Sequence, residues 1–284
     1  MVFFPNCKIN LGLRILRKRP DGYHDLQTVF YPLPLKDVLE VVRSTENSFH
    51  ADGLPIPAVP GNPGDPGAAI AGGFAENNLC TRAWQLLKKD FPDLSPIELH
   101  LYKNIPIGAG LGGGSADGAG MLQLLNHFFH LGLTEDQLLA YAARLGSDCP
   151  FFIKNKPCLA SGRGEILKPI SLDLSAYSFL LVHPGIHVST ALAFSQVIPA
   201  VPERSLEEII AAPINTWTSG LINDFEAPVL RQHPELAPIK EKLLAEGALY
   251  AAMTGSGSSF FGIFEKGKLP SVHFDQPFKL QFLN

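Results

Sequence analysis

The sequence is poor in several features that would announce a class of function. It holds four cysteines, at positions 7, 80, 149 and 158, and no C-x-x-C pair joins any of them. A chain of this size does not need disulfides, so reduced thiols and a cytoplasmic location are expected. There is no N-x-[ST] acceptor, no H-E-x-x-H and no other tight cluster of metal-ligand residues, which removes the case for a protein-held zinc. The opening residues, Met1-Val2-Phe3-Phe4-Pro5-Asn6, show no basic region followed by a long apolar run. No signal peptide and no membrane anchor are expected, since no stretch approaches spanning length. Charge is sparse as well, with 18% charged residues and a formal net charge of -4. That balance argues against nucleic acid or anionic lipid as a partner. A local basic cleft stays open, because a phosphorylated substrate needs only a few donors.

What is present reads as an α+β chain. With 284 residues, 46% of them hydrophobic, one large or two modest domains are expected. Cys7 to Ile15 alternates apolar and polar residues and predicts a strand, Arg19-Pro20-Asp21-Gly22 is turn chemistry, and Val38 to Val42 predicts a second strand. From Ser48 to Gly73 the chain is rich in proline and glycine, and this segment is expected to be an exposed excursion within the first domain. Leu79, Ala83, Leu86 and Leu87 form one helical face. Ile97, Leu99 and Leu101 alternate as a half-buried strand. A helix is expected over 115–131, and another opens at Thr134 with a capping box to Gln137 and closes at Gly146. Beyond Pro169 come a strand at Ser178–Val182, a helix at Leu236–Glu246 and two short strands flanking Thr254–Ser259. The domains are placed at 1–170 and 171–284.

The densest signal is Pro106-Ile107-Gly108-Ala109-Gly110-Leu111-Gly112-Gly113-Gly114-Ser115, with five glycines in seven residues. Without Cβ atoms the backbone can curl so that several amides point into one concavity and phosphate can approach. A helix starting near Ser115 would add its unpaired N–H groups and the positive end of its dipole. A plain flexible turn is the bland alternative. Gly108, Gly110 and Gly113 fit G-x-G-x-x-G, yet a dinucleotide fold needs a second strand ending in an acidic residue about 20 positions on. Here that distance falls at Leu133–Asp136, in or just after a helix. A Walker loop needs Gly-Lys-Ser/Thr, and this one ends Gly-Gly-Ser. Both readings fail.

The run Pro106 to Ala116 closely resembles the ATP-binding motif of the GHMP kinase superfamily. Cys7-Lys8-Ile9-Asn10-Leu11 is similar to that family's first motif, and Ala252-Met253-Thr254-Gly255-Ser256-Gly257-Ser258-Ser259 to its third. Arg19 to Thr28, Leu145 to Phe152, Ser161 to Glu165 and His183-Pro184-Gly185 narrow the resemblance to members acting on a cytidylyl substrate, 4-diphosphocytidyl-2-C-methylerythritol. Cys7 where the family has Ala, and Thr254 where Ser is common, are the departures. The implied fold is a two-domain α+β kinase. Its N-terminal ATP-binding domain would be like domain 2 of ribosomal protein S5, its C-terminal domain ferredoxin-like, and ATP would meet substrate between them.

The resemblance implies roles residue by residue. Asp148 would be the catalytic base; spacing alone favours an N-cap before Pro150, the resemblance reverses that order, and the two roles can coexist. Lys8, by default a surface lysine, would pair with Asp148, and Asn10 on the same strand face would reach the same substrate. ATP would lie against Asn78, Lys103, Pro106, Gly108, Ala109, Gly110, Leu111, Gly112, Gly113, Gly114, Ser115 and Ala116, with Mg²⁺ accompanying it. Ser115 would touch phosphate or the ion, or merely cap its helix. Tyr23 would stack on the cytosine and His24 bond its polar edge, with Thr190 and Phe194 as the opposite wall. The spacing of Ala191, Phe194 and Val197 equally suits core. Gly255 and Gly257 would let backbone approach the site, or simply turn a hairpin. Rival readings are a GHMP kinase for homoserine, mevalonate or a sugar, and a non-catalytic sensor on the same fold. A monomer or homodimer is expected.

Overall fold

The computed structural model describes residues 1–56, 78–268, 270–274 and 278–283. The first half runs β1 (Val2–Phe3), β2 (Asn6–Lys18), β3 (His24–Lys36), β4 (Val38–Arg43), β5 (Ser48–Gly53), α1 (Leu79–Asp90), β6 (Ile97–Lys103), α2 (Gly113–Phe128), α3 (Glu135–Leu145) and α4 (Cys149–Lys154). The second runs β7 (Cys158–Gly162), β8 (Ile166–Pro169), β9 (Tyr177–His183), α5 (Thr190–Gln196), α6 (Leu206–Ile210), α7 (Glu226–Gln232), α8 (Ala237–Ala245), β10 (Tyr250–Met253), β11 (Phe260–Glu265) and β12 (Lys279–Leu283). Packing divides the chain into two compact units interleaved in sequence: Met1–Cys7, Pro34–Ile107 and Gly112–Asn155 form the first, Lys8–Leu33, Gly108–Leu111 and Lys156–Asn284 the second. Strands β2 and β3 and the glycine-rich loop each pass from one unit to the other, so no single cut in sequence separates them.

The first unit is built on a sheet ordered β1-β4-β6-β5, with β5 parallel to β6 and the other pairings antiparallel. Ile97, Leu99 and Leu101 of β6 turn into the core, and Lys103 follows them on the same face. The Pro/Gly excursion begins later than its composition predicts. Ser48–Gly53 is strand rather than loop, because Phe49 is fully buried and β6 offers an edge to pair with. The part of the excursion from 57 to 73 lies outside the described residues. Helix α1 opens at Asn78, whose Oδ1 accepts from the Cys80 amide at 2.8 Å. Gly118 lets α1 and α2 approach, since a Cβ there would lie 2.9 Å from Leu79 Cβ. Helix α3 carries the expected capping box of Thr134 and Gln137. It stops at Gly146 with extended backbone (φ 177°), not in a left-handed cap.

The second unit carries two sheets, β2-β3-β7-β8 and the antiparallel β10-β11-β9-β12. In the latter the first and third strands in sequence are central, the order of a ferredoxin-like split βαβ unit. One face is covered by Phe225 and Val229 around α7 and by Ile239 and Leu243 of α8, packed with Leu180, Val182, Met253 and Phe260. The described residues between β11 and β12 form no helix, and Val272 with Phe274 fills that part of the core.

Candidate active site

Lys8 is not the surface lysine of the default reading. It is 4% exposed on β2, and its ammonium donates to Asn10 Oδ1 at 2.6 Å and to the Gly110 carbonyl at 3.2 Å. Its backbone amide binds the Leu111 carbonyl at 3.0 Å, and the Phe30 ring lies 5.0 Å from the ammonium. Asn10 shares the face, as the two-residue spacing requires, but its amide is committed. Nδ2 donates to Thr28 Oγ1, Oδ1 accepts from Lys8, and the side chain is buried. Asn10 thus holds the Lys8 ammonium in place.

The glycine loop takes the curled form its composition requires. Gly108, Gly110 and Gly112 have φ of 68°, 78° and 72°, in the left-handed region that favours glycine. At Gly110 the need is also steric, because a Cβ would sit 2.0 Å from the Thr254 carbonyl oxygen. The loop and the Thr254–Ser259 turn interlock there. Thr254 Oγ1 donates to the Gly110 carbonyl, the Ser259 amide donates to the Ala109 carbonyl, and a Cβ on Gly255 would meet Gly110 Cα at 2.9 Å. Gly255 and Gly257, at φ 56° and 88°, thus turn a connection that also supports the loop.

Helix α2 starts at Gly113, two residues earlier than expected, with left-handed Gly112 as N-cap and no side-chain cap. The amides of Gly113, Gly114 and Ser115 stand ahead of the first helical bond, Ala116 N–H to the Gly112 carbonyl at 2.9 Å. These are the groups and the dipole end that suit an anion. Ser115 is therefore the third helical residue and not a cap, and its hydroxyl bonds the Cys149 thiol. Burial pushes that thiol up to about 12, so Cys149 is an inert structural group. Pro106 is half-buried at the entry to the loop, and Ala116 is buried behind it.

Lys103, expected on the nucleotide side, is held within the first unit. It is 1% exposed, pairs with Asp117 Oδ2 at 2.6 Å and also with Asp37. In this arrangement the ammonium is buried and two of its three donors are spent on carboxylates. Asn78 likewise spends its side-chain oxygen capping α1. Asp148 occupies the N-cap position of α4, followed by Cys149 and Pro150, but its side chain makes no cap hydrogen bond. The cap alternative for this carboxylate is therefore removed.

The cytidine candidates lie together in the second unit. Tyr23 follows the Gly22 turn and is 56% exposed, with the Arg163 guanidinium 4.8 Å from its ring centre. His24 opens β3 and stacks on Phe194 at 5.1 Å and 24°. Phe194, half-buried on α5, meets Phe225 edge-on at 4.7 Å, so it serves core and exposed face together. Thr190 opens α5 and bonds Ser256 Oγ at 3.0 Å.

The sequence assigns no role to Thr28 and Arg163, which fall within the resembling blocks, nor to Asn223, Asp37 and Asp117. Asn223 donates to the Met253 and Gly255 carbonyls, both at 2.8 Å, which fixes the third motif. Only Arg163 and Asp117 had a local signal, as a cation in a Gly-Arg-Gly turn and a carboxylate in an otherwise apolar helix. In the first unit a cavity of about 620 Å³ is lined by Met1–Asn6 and by residues including Gln123, Leu124, His127 and Phe152. Of the candidate residues only Ala116 borders it, so it is not the candidate site.

Comparison with known proteins adds to this geometry. Residues 78–156 match the model of the GHMP kinases N terminal domain and residues 198–272 that of the GHMP kinases C terminal domain. These segments fall on either side of residue 170. A 4-diphosphocytidyl-2-C-methyl-D-erythritol kinase of Bacteroides thetaiotaomicron is 52% identical over 277 residues, covering 96% of this chain and 95% of its own. One from Cytophaga hutchinsonii is 43% identical over 265 residues, covering 93% and 92%. A crystal structure of 4-(cytidine 5'-diphospho)-2C-methyl-D-erythritol kinase superimposes with a TM-score of 0.75 at 33% identity, over 93% of this chain and 90% of that one. The homoserine kinase of Cytophaga hutchinsonii reaches a TM-score of 0.70 at 14% identity, over 100% of this chain and 93% of that one, which speaks to the fold alone.

Proposed function

The chain belongs to the 4-diphosphocytidyl-2-C-methyl-D-erythritol kinases of the GHMP superfamily, and from that premise we propose that it transfers the γ-phosphate of ATP to the 2-hydroxyl of 4-diphosphocytidyl-2-C-methyl-D-erythritol, a step of non-mevalonate isoprenoid synthesis. The observation that carries the reading is the glycine loop, whose left-handed residues lead into a helix N-terminus that no side chain caps. Phosphoryl transfer asks the protein for positioning and charge stabilisation more than for covalent chemistry. The amides of Gly113, Gly114 and Ser115 hold phosphate oxygens. Asp148, not engaged in capping, takes the proton of the attacking hydroxyl. Lys8, fixed by Asn10 and the Gly110 carbonyl, supplies positive charge as phosphate transfers. Tyr23, His24, Phe194 and Thr190 hold the cytidine end.

Mg²⁺ bound with ATP neutralises phosphate charge. Among the described residues no group of three or more His, Cys, Asp and Glu could hold a metal. By family segment the proposed sequence modules are 1–170, for ATP, and 171–284, although β2, β3 and the glycine-rich loop pass between the packing units. A cytoplasmic location and a monomer or homodimer complete the reading. All four cysteines are buried and none forms a disulfide, which supports the location.

The test is ADP release with the cytidylyl substrate beside homoserine, mevalonate and galactose. Turnover on the cytidylyl substrate alone is expected. Turnover on another acceptor would make the chain a different GHMP kinase, and none on any acceptor would make it a sensor.

A further inference from the structure

Lys103, Asp37 and Asp117 form a charged cluster that the proposed chemistry does not use. Asp37 sits between β3 and β4, Lys103 ends β6, and Asp117 lies on the second turn of α2. All three are buried, with Lys103 at 1% exposure. The Lys103 ammonium binds Asp117 Oδ2 at 2.6 Å and also Asp37 Oδ2. Asp37 Oδ1 accepts in addition from the backbone amides of Asn104 and Ile105, at 2.6 and 2.7 Å. Asp117 Oδ1 is buried with no hydrogen-bond partner.

One cation between two buried carboxylates is a poor way to gain stability. The desolvation penalty is large, and apolar residues of similar volume often serve as well. What the cluster does supply is geometry. The segment 106–112 joins β6 to α2, and its glycines give it more backbone freedom than any other residues would. Asp37 fixes the amides just upstream of that loop. Asp117, through Lys103, fixes the helix just downstream of it. The two limbs close on each other at Gly113, where a Cβ would lie 2.8 Å from Ile105 Cγ2 and 3.4 Å from the Lys103 ammonium. Both ends of the loop are therefore tied to a single buried ammonium, and the first turn of α2 is held in fixed register with the end of β6.

We infer that Asp37, Lys103 and Asp117 are positioning residues that clamp the two ends of the glycine-rich loop and thereby set its affinity for ATP. This rests on the assignment of that loop to ATP phosphates. Preorganising a flexible anion cradle removes an ordering cost that binding would otherwise bear. The clamp therefore acts on ATP and leaves the cytidylyl end alone.

The most informative variant is Asp117→Ala. It leaves Lys103 and Asp37 as a one-to-one pair, so it unties the α2 limb without stranding a buried charge. ATP affinity by calorimetry and KM for ATP should weaken roughly 10- to 100-fold, the scale of displacing a binding group by about 1 Å. KM for the cytidylyl substrate should stay at the parental value. Asp117→Asn keeps an acceptor oxygen for the ammonium and should restore ATP affinity to near the parental level. Three results would overturn the clamp: parental ATP affinity in Asp117→Ala, equal weakening of both substrates, or no rescue by Asn. Calorimetry with ATP alone does not depend on the acceptor. A parent that binds ATP but fails to phosphorylate the cytidylyl substrate would sink the functional reading and still test the clamp.

Discussion

Gly110→Ala is the smallest change that tests whether the loop and the Thr254 turn interlock as described. At φ 78° a Cβ costs about 1–2 kcal/mol of backbone strain. It also lands 2.0 Å from the Thr254 carbonyl oxygen and 2.9 Å from its carbon. These are backbone atoms held by the Thr254 amide to the Ser259 carbonyl (2.9 Å) and by Gly257 N–H to Thr254 O (3.1 Å), so no side chain can swing aside. The contact must open by about 1 Å, and overpacking of this kind costs about 1–3 kcal/mol. The total of about 2–5 kcal/mol is serious but survivable against a typical stability of about 5–15 kcal/mol. The Gly110 carbonyl also receives Lys8, so the same shift displaces the ammonium, and a misplacement of about 1 Å at a reacting group costs on the order of 100-fold in kcat. Urea unfolding and steady-state kinetics on both substrates measure the two effects. Gly114→Ala is the control. A Cβ there meets nothing within 4 Å, so the fold should be unharmed or gain about 0.5 kcal/mol while ATP binding weakens. A Gly110→Ala enzyme with parental stability and kcat would refute the interlock. Parental ATP affinity in Gly114→Ala would refute the amide cradle.

Asp148→Asn keeps the shape but cannot take a proton, so kcat should fall on the order of 100-fold or more with ATP affinity unchanged, as steady-state kinetics and calorimetry would show. Tyr23→Ala removes a stacking face worth about 1–3 kcal/mol, and it should raise KM for the cytidylyl substrate while KM for ATP holds. In the same assays cytidine monophosphate should compete with that substrate and not with ATP, and should inhibit the variant far less. Burial, followed by the neighbouring Asp37 charge, pushes the Asp117 carboxyl well above the ordinary carboxylate range against the pull of Lys103. A raised folded pKa gives stability that is complete at acid pH and is lost as pH rises through it. Thermal melts from mildly acidic to mildly alkaline pH should therefore show a decline in the parent that Asp117→Asn flattens.

The backbone half of the site was legible because glycine is a geometric statement. Five glycines in seven residues between a strand and a helix leave few conformations, and the left-handed angles at 108, 110 and 112 are what that composition encodes. The lysines were opaque for the opposite reason. A lysine in sequence reads as solvent-facing, and only tertiary packing shows Lys8 held by Asn10 and the Gly110 carbonyl. Lys103 is likewise buried between carboxylates 66 positions upstream and 14 downstream. β5 was lost in the Pro/Gly segment because a strand that pairs on an existing edge needs little pattern of its own, and one buried phenylalanine suffices. Asp148 was ambiguous for a local reason. Its position is a cap position, and the conformation of one side chain, not the spacing, decides that it does not cap.

Substrate choice is a separate question from fold. A homoserine kinase shares this architecture at 14% identity, so the fold by itself does not distinguish a cytidylyl acceptor from an amino-acid alcohol. The residues proposed for the cytidine end are separate from the cradle. Tyr23 is exposed, His24 and Phe194 stack at the start of β3 and on α5, and Arg163 covers one side of the tyrosine ring. An exposed aromatic beside a guanidinium contributes little to folding, since both groups keep much of their contact with water. Together they form a flat, polarisable surface of the kind that suits a base and not an aliphatic hydroxy acid. Selection on this patch can therefore follow the acceptor without disturbing the cradle that holds ATP. Exchanging residues 19–28 and α5 should move acceptor preference while leaving KM for ATP in place.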